Sequence, residues 1–337
     1  SIAAKFSKIV STPERAWIFT SATLMVGDAF DHFQRQMGLQ QAKTLSLDSP
    51  FDYQKQAMLC VPRFLPEPNA REMRQTLLDI SIKLIAASGG RCFLLFTSHA
   101  TLRAIAGMLE DKVDNPILVQ GTTTKRALLE SYVKSDNAVL LGTGAFWEGV
   151  DVRGNDLTCV LIDKLPFASP DDPLLQARIE DCRKAGGNPF GQLQIPQAAI
   201  ALKQGAGRLI RDETDRGVLV ICDNRLVTKD YAKTFLRSLP DMKRTRHLPN
   251  ALAFLEEIHE DAQQAKKALK AAKKSADNQR LKDAVNIGDR VKEEHVSQES
   301  AQETTQEMTL DTSRDVSQNT SQSTATGTND ILKKEAQ

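Results

Sequence analysis

The chain has few cysteines and almost no excess charge. Its 337 residues include five Cys, none in a Cys-x-x-Cys pair, and 44 Lys and Arg against 43 Asp and Glu give a formal net charge of +1. The cysteine spacing argues against a zinc knuckle or a disulfide framework. The charge balance excludes a whole-molecule field that would draw the protein to nucleic acid. Any contact with an anionic partner must therefore be local.

Long hydrophobic runs are also missing. No uncharged apolar stretch reaches the roughly 18 to 20 residues that cross a bilayer, and the first residues lack the basic and apolar segments of a signal peptide. We therefore expect no membrane partner and a cytoplasmic location. The chain begins at Ser1 rather than Met, and the apolar run Trp17–Phe19, which reads as a buried strand, follows closely. We expect a fragment of a longer protein.

Aromatic residues end at Phe254, and the chain from Leu255 to Gln337 contains no Phe, Trp or Tyr. Such a composition cannot build a core of ordinary density. Residues 249–275 are rich in lysine and in helix formers, which predicts a solvated helix. Residues 276–337 are rich in Ser, Thr, Gln and Asn, which predicts a disordered tail.

Short apolar runs alternate with helical periodicity in the rest of the chain. The runs are Cys92–Phe96, Ile117–Val119, Ala138–Leu141, Cys159–Ile162 and Val218–Cys222, and the helical patterns lie at residues 70–87, 99–110, 124–134, 171–185, 196–210 and 228–238. Runs of this kind are typical of parallel strands that are buried on both faces. We predict an α/β fold in which helices flank a parallel sheet. Its ligands would lie beyond the carboxyl ends of the strands.

A glycine-rich segment follows the run at Ala138–Leu141. The segment GTGAFWEGVDVRG, from Gly142 to Gly154, contains four glycines and the carboxylates of Glu148 and Asp151. Glycines let backbone N–H groups come close to an anionic or ribose-bearing ligand. The segment lacks the Lys and Ser/Thr of a Walker A loop. A tight turn with capping acids is the alternative interpretation.

A second segment, QGAGRLIRD, runs from Gln204 to Asp212 after a helix-forming stretch. If the helix continues, Gln204, Arg208 and Arg211 fall at i, i+4 and i+7 and share one face. Two guanidinium groups on one face suit a triphosphate or a DNA backbone. The alternatives are an exposed basic face and ion pairs between these arginines and the acids that follow, up to Asp215.

Hydroxyl residues follow two of the apolar runs. Ser21 and Thr23 follow Trp17–Phe19 in the motif WIFTSATL, and Thr97 and Ser98 follow the next run in the motif FTSH. Hydroxyls at the carboxyl end of a strand can relay hydrogen bonds from a nucleotide site. In isolation the signal is weak, because the same residues make ordinary helix N-caps.

Two acidic features imitate a magnesium site. Asp163 ends an apolar run as a Walker B acid would, but no Walker A loop is present to receive the metal. The acidic run Asp212–Asp215 imitates a helicase box but follows a predicted helix. We interpret both as structural, and the five scattered histidines predict no metal site in this chain.

Taken in order, five motifs resemble the C-terminal motifs of superfamily-two DNA helicases of the XPD/DinG type. They are TSATL, FTSH, GTGAFWEGVDVRG, VLIDKLPFASPDDP and QGAGRLIRDETDRG, and the segments SPFDYQKQA, GGNPF and CDNRLVTKDYAKTFLRSLP extend the resemblance to the bacterial YoaA-like branch. The resemblance covers about Ala16 to Arg246. It implies that residues 1–35 end a first RecA-like motor domain and that residues 36–248 form the second.

The resemblance also implies roles for the residues named above. Ser21 and Thr23 would couple ATP hydrolysis to DNA, and Thr97 and Ser98 would contact DNA phosphates. The residues that would bind the nucleotide are Glu148, Gly149 and Asp151, and those that would face its phosphates in catalysis are Gln204, Arg208 and Arg211.

The implied cofactors are ATP and Mg²⁺, and the implied partner is single-stranded or forked DNA in repair or replication. The Walker A lysine, the acidic magnesium box and the cysteines of an iron–sulfur cluster would all lie upstream of Ser1, in an N-terminal motor domain that this chain lacks. We therefore predict an ATP-dependent DNA helicase of which this chain alone is inactive. Two alternatives stay open: a stand-alone, non-catalytic DNA-binding module on a helicase scaffold, and an unrelated nucleotide-dependent α/β transferase.

Overall fold

The computed structural model describes residues 2–12, 15–147, 152 and 156–312. Contacts divide the chain into two compact units, Ser1–Ala265 and Lys266–Gln337. The first unit contains the sheet and its flanking helices. The second unit is helical as far as Thr312, where the described residues end.

A seven-stranded sheet forms the centre of the first unit. Its strands are β1 Ala57–Cys60, β2 Cys92–Leu95, β3 Ile117–Val119, β4 Val139–Gly142, β5 Cys159–Ile162, β6 Gly217–Ile221 and β7 Lys243–Thr245. They lie in the order β3-β4-β2-β5-β6-β1-β7, and every pairing is parallel. The predicted parallel α/β fold is confirmed.

The central strands are buried on both faces, as their uninterrupted apolar sequences predict. Every residue of β2, β4, β5 and β6 is buried. Alternate side chains therefore enter different cores: Phe93 and Val160 pack on one face of the sheet, and Leu94 and Leu161 pack on the other. The hydroxyl and acidic residues lie where these buried strands end.

Helices connect the strands and cover both faces. Their bounds are α1 Ile2–Val10, α2 Asp31–Met37, α3 Tyr53–Gln56, α4 Met73–Ser88, α5 His99–Leu109, α6 Lys125–Lys134, α7 Gly144–Trp147, α8 Pro173–Lys184, α9 Ile195–Ala206, α10 Arg225–Thr228, α11 Ala232–Ser238 and α12 Leu248–Thr312. A π-helical turn, Phe190–Gln194, precedes α9. The helix predicted at residues 228–238 corresponds to α11, which begins only at Ala232, after the short helix α10 has ended at Thr228.

The predicted buried strand at Trp17–Phe19 is wrong. These residues form neither a strand nor a helix, and 42% of Trp17 and 86% of Ile18 are exposed. A strand needs a neighbour for its backbone hydrogen bonds, and no strand within the described ranges pairs with this segment. The aromatic rings of this segment pack against other rings instead. Trp17 stacks on Phe19, and Phe19 also contacts Phe6 and Phe33.

Helix α12 is longer than predicted. Its first turns pack on the sheet through Ala251 and Leu255, as the apolar residues in this part of the sequence indicate. The sequence analysis predicted disorder from residue 276, whereas the structure continues the helix to Thr312. Alanine, glutamate, glutamine and lysine recur through this stretch and cost little free energy in a helix. Residues 313–337, where disorder was also predicted, lie outside the described residues. None of the helices described here has the length and apolar character to cross a membrane.

Candidate nucleotide and nucleic-acid site

Polar residues gather at the carboxyl edge of the sheet. All seven strands are parallel, so the residues that follow them meet at one edge. Thr143 comes directly after β4, Asp163 directly after β5, and Thr97 and Asp223 come two residues after β2 and β6. This edge is where a sheet of this class binds ligands.

Thr97 is held by a buried carboxylate. Its backbone N–H donates to Asp163 Oδ1 at 2.9 Å, and its hydroxyl donates to Asp163 Oδ2 at 3.2 Å. Burial raises the pKa of the Asp163 carboxyl to about 6, and the positive charge of Lys164 together with hydrogen bonds from Lys164 and Thr97 offsets only part of that rise. Asp163 was interpreted from the sequence as structural, and its contact with Thr97 was not predicted. The position of both residues just after adjacent strands was the available signal.

Ser98 begins helix α5. Its hydroxyl accepts a hydrogen bond from the backbone N–H of Thr101 at 3.1 Å and lies 2.9 Å from the Thr101 hydroxyl. This is an N-cap, which satisfies a backbone donor at the helix start. The side chain is half-buried and lies beside Thr97 at the carboxyl edge.

Hydrogen bonds hold Thr143, the second residue of the glycine-rich segment, in place. The backbone N–H of Thr143 donates to Gln120 Oε1 at 2.6 Å, and its hydroxyl lies 3.3 Å from His99 Nε2. Side chains after β3 and β2 therefore hold the residue that follows β4. Within that segment, Glu148, Gly149 and Asp151, which we predicted to bind the nucleotide, lie outside the described residues.

Arg208 does not lie on a helix. Helix α9 ends at Ala206, and Arg208 follows it in a turn. The predicted i, i+4, i+7 stripe of Gln204, Arg208 and Arg211 is therefore wrong, since only Gln204 is helical. Successive small residues, including Gly207 at the C-cap, explain the early end because glycine is the poorest ordinary helix former.

A backbone carbonyl orients the Arg208 guanidinium. Its Nε and Nη2 donate to the carbonyl oxygen of Trp147 at 3.1 and 3.0 Å. Gly205 lets helix α9 come close to Trp147, because a Cβ at this position would lie 2.9 Å from Cε3 of Trp147. Helix α9 therefore packs closely against the short helix α7, and this packing places Arg208 beside the Trp147 carbonyl.

A carboxylate shapes the loop around Arg211. Asp215 Oδ2 accepts the backbone N–H groups of Arg211 at 2.7 Å and Asp212 at 2.9 Å. Gln56 Nε2 donates to the backbone carbonyls of Asp212, Glu213 and Asp215. The acidic run that imitates a helicase box therefore supports the loop that carries Arg211.

Ser21 shares a cleft with helix α9. This cleft has a volume of about 1070 Å³ and is lined by residues of the first 47 positions together with Lys203. The Ser21 hydroxyl lies 3.1 Å from that of Thr23. Burial lowers the pKa of Lys203, which directly precedes Gln204. The structure thus places Ser21 in the same cleft as the helix that ends beside Arg208, and Thr23 contacts Ser21.

A second charged network lies at the end of β6. The buried Asp223 carboxylate accepts from the backbone N–H of Leu165 at 2.7 Å and from Arg225 Nη2 at 2.6 Å. The hydrogen bond to Asp223 raises the pKa of Arg225, whose guanidinium lies 5.4 Å from the Phe167 ring centroid. The contacts of Asp223 were not predicted from the sequence. The one signal for them was the Asp-x-Arg spacing after an apolar strand. Across the residues described above, no cluster of His, Cys, Asp and Glu side chains could hold a metal ion.

Residues 81–242 match the family described as the helicase C-terminal domain. The ATP-dependent DNA helicase YoaA of Haemophilus influenzae is 52% identical over 256 residues, which are 76% of this chain and 40% of that protein. YoaA of Escherichia coli is 53% identical over 255 residues, with the same two shares. The ATP-dependent helicase DinG of Mycobacterium tuberculosis is 37% identical over 246 residues, which are 72% of this chain and 37% of that protein.

The chain carries a helicase C-terminal domain. The resemblance to XPD/DinG-type helicases is thereby confirmed, and the parallel sheet with flanking helices is the RecA-like fold expected from it. The chain spans about 40% of the length of the curated relatives it matches. A solved XPD structure in its apo form aligns with a TM-score of 0.47 at 19% identity, over 64% of this chain and 46% of that one.

Proposed function

We propose that this chain is the C-terminal motor half of an ATP-dependent DNA helicase, which couples ATP hydrolysis to movement on single-stranded DNA in repair or replication. The observation that carries the proposal is the cleft lined by both Ser21 and Lys203, the latter on the helix that leads to Arg208. Residues 1–35 would then belong to the first motor domain and residues 36–248 to the second. We propose a cytoplasmic location, as for a protein that acts on bacterial DNA.

Arg208 and Arg211 would serve the nucleotide side of this site, together with Gln204, Glu148, Gly149 and Asp151. The Trp147 carbonyl gives Arg208 a fixed direction, and Asp215 holds the backbone at Arg211. A preorganised guanidinium stabilises the charge that develops on a transferring phosphoryl group and is worth about 10³ to 10⁵ in rate. We assign the cradle for the phosphates and Mg²⁺, and any iron–sulfur cluster, to the first motor domain, as the resemblance to helicases implies.

Thr97 and Ser98 would serve the DNA side. The backbone N–H and the hydroxyl of Thr97 both donate to Asp163, so a phosphate would compete with that carboxylate for the hydroxyl. Ser98 lies at the start of α5, where backbone N–H groups and the helix dipole favour an anion. Ser21 and Thr23 would link this strand contact to the nucleotide cleft.

The proposal is tested by ATP hydrolysis in two proteins, this chain and the complete polypeptide. We expect the complete polypeptide to hydrolyse ATP faster when single-stranded DNA is present, and we expect no turnover by the 337-residue chain. Turnover by the chain alone would contradict its role as one half of the motor. Absence of turnover in both would favour a non-catalytic DNA-binding module.

The DNA contact is tested by Ser98→Asp. Aspartate caps a helix as well as serine does, but its charge repels a phosphate. We expect Ser98→Asp to weaken the binding of single-stranded DNA at low salt. The matched control is Thr124→Asp, which makes the same change at the N-cap of α6 and should leave binding unchanged. Equal affinity of the two variants would exclude a phosphate contact at Ser98.

A further inference from the structure

An exposed phenylalanine follows strand β1. Phe64 is 95% exposed, and its backbone has a φ of 59°. A bulky side chain rarely adopts this left-handed conformation, which costs free energy and is typical of functional positions. Neither the exposed ring nor the strained backbone contributes to the core. Strain of this kind persists only where the surrounding structure fixes the backbone.

Phe64 borders a basic groove. The groove has a volume of about 430 Å³, and the charged side chains that line it are Arg63, Lys83, Arg246 and Asp79. Three of these are cations and only one is an acid. Asp79 accepts a hydrogen bond from Gln75 on its own helix at 2.8 Å. In the part of the chain that the structure describes, no ion pair engages the three cations.

The strand ladder fixes the spacing of the two arginines. The pairing of β1 with β7 continues beyond the strand ends, because Val61 N–H donates to Thr245 O at 3.1 Å and Arg63 N–H donates to Arg246 O at 3.0 Å. Leu65 and Ile80, both buried, form the apolar floor. The groove is therefore a preformed surface with cations and a ring at defined positions.

The groove lies at the same edge of the sheet as the proposed DNA contacts. Strand β1 is the third strand from β2 in the order β2-β5-β6-β1, and three strand spacings amount to about 14 Å. Side-chain hydrogen bonds tie the intervening loops together: Lys164 donates to Asn69, and Asn224 donates to Glu67. A continuous edge thus connects Ser98 with Phe64.

We propose that this groove is a second binding site for single-stranded DNA, in which Arg63 and Arg246 hold phosphates and a base stacks on Phe64. The proposal rests on the proposed helicase function and adds a site to it. A cationic groove combined with an exposed aromatic ring is the arrangement that binds single strands without sequence preference. An acidic peptide would use the arginines but would leave the ring without a partner.

The test is the affinity of the chain for an oligothymidine of about 15 nucleotides, measured by fluorescence anisotropy. We expect Phe64→Gly and Phe64→Leu to weaken binding by about fivefold to 100-fold, since loss of one stacked base has that effect. Phe64→Trp should restore it. Glycine adopts a φ of 59° without strain, so Phe64→Gly should unfold at a higher urea concentration than the wild type while binding DNA less tightly.

The arginines are tested through the salt dependence of binding. Each phosphate contact on a single strand contributes about 0.7 to the slope of log affinity against log salt. We expect Arg63→Ala and Arg246→Ala each to lower that slope by this amount. Lys134→Ala, an exposed lysine at the end of α6, is the control and should leave it unchanged.

The variants also separate this proposal from the proposed function. If Ser98→Asp weakens oligothymidine binding but the Phe64 variants bind like the wild type, the groove is not a DNA site and the helicase assignment stands. If the arginine variants lose affinity and Phe64→Leu does not, base stacking on Phe64 is excluded. If the wild-type chain binds no oligothymidine, the groove is not a DNA site, and DNA-stimulated ATP hydrolysis by the complete polypeptide decides the helicase proposal separately.

Discussion

Two segments of this chain have similar sequences and different structures. CFLLFTSH forms the buried strand β2, Cys92–Leu95, and its hydroxyls reach the carboxyl edge of the sheet. WIFTSATL forms no strand, and Ile18 within it is 86% exposed. Strand β2 lies between β4 and β5 and pairs with both, whereas no described strand pairs with Trp17–Phe19. An apolar run that ends in hydroxyls becomes a strand only where neighbouring strands accept its hydrogen bonds.

The largest expected effect comes from truncating one isoleucine in each region. Ile162 in β5 is completely buried, and Ile18 is mostly exposed. We expect Ile162→Ala to lower the free energy of unfolding by about 2 to 5 kcal/mol, because it leaves a cavity in the core. Ile18→Ala should change it by no more than about 0.5 kcal/mol. Urea unfolding measures both, and equal losses would show that residues 15–20 are packed as tightly as the sheet.

The second test concerns Asp163, the carboxylate that accepts hydrogen bonds from Thr97. The segment WIFTSATL has no corresponding acid among the described residues. The folded-state pKa of Asp163 is about 6, above its ordinary value of 3.8, so the folded protein keeps this proton over a pH range where the unfolded chain releases it. The stability that Asp163 contributes is therefore greatest below about pH 4 and falls by about 3 kcal/mol as the pH rises through 6.

Asp163→Asn isolates this contribution, because asparagine does not titrate. We expect the wild type to lose about 3 kcal/mol relative to Asp163→Asn between about pH 3 and pH 7, as measured by urea unfolding at each pH. A constant difference between the two proteins across this range would mean that Asp163 titrates at its ordinary pKa. The claim that burial raises the pKa of the Asp163 carboxyl would then be wrong.

The smallest expected effect compares two helical glycines. A Cβ on Gly205 would lie 2.9 Å from Trp147, whereas a Cβ on Gly107 in α5 would meet nothing within 4 Å. We expect Gly205→Ala to lower the free energy of unfolding by about 1 to 3 kcal/mol through overpacking. Gly107→Ala should raise it by about 0.5 to 1 kcal/mol through helix propensity. Stabilisation by both substitutions would show that α9 can move away from Trp147 at little cost.

The sequence predicted the centre of the fold better than its edges. Five apolar runs correspond to β2 to β6, because strands that are buried on both faces must be apolar throughout. Strand β7, Lys243–Thr245, is polar and exposed at the sheet edge, so its sequence lacks that signal. Strand β1 was missed because Ala57–Cys60 is too short a run to separate from the helix before it.

The residues of the candidate site remain a prediction from motif order, and part of the geometry predicted for them was wrong. Motif order indicated Thr97, Ser98, Arg208 and Arg211 without any structural information. Helical periodicity then suggested a stripe that the end of α9 at Ala206 rules out. The contact of Arg208 with Trp147 could not be predicted, because spacing along the chain does not encode a contact between residues so far apart in sequence.

The central claim is that Arg211 acts on a nucleotide held largely by the first motor domain. The most direct test is DNA-stimulated ATP hydrolysis by the complete polypeptide with Arg211→Glu, beside Lys134→Glu as an exposed charge-reversal control. The account predicts a loss of about 10³-fold or more in kcat for Arg211→Glu and wild-type turnover for Lys134→Glu. Wild-type turnover of Arg211→Glu would contradict the claim and favour the transferase alternative, in which this arginine serves another substrate.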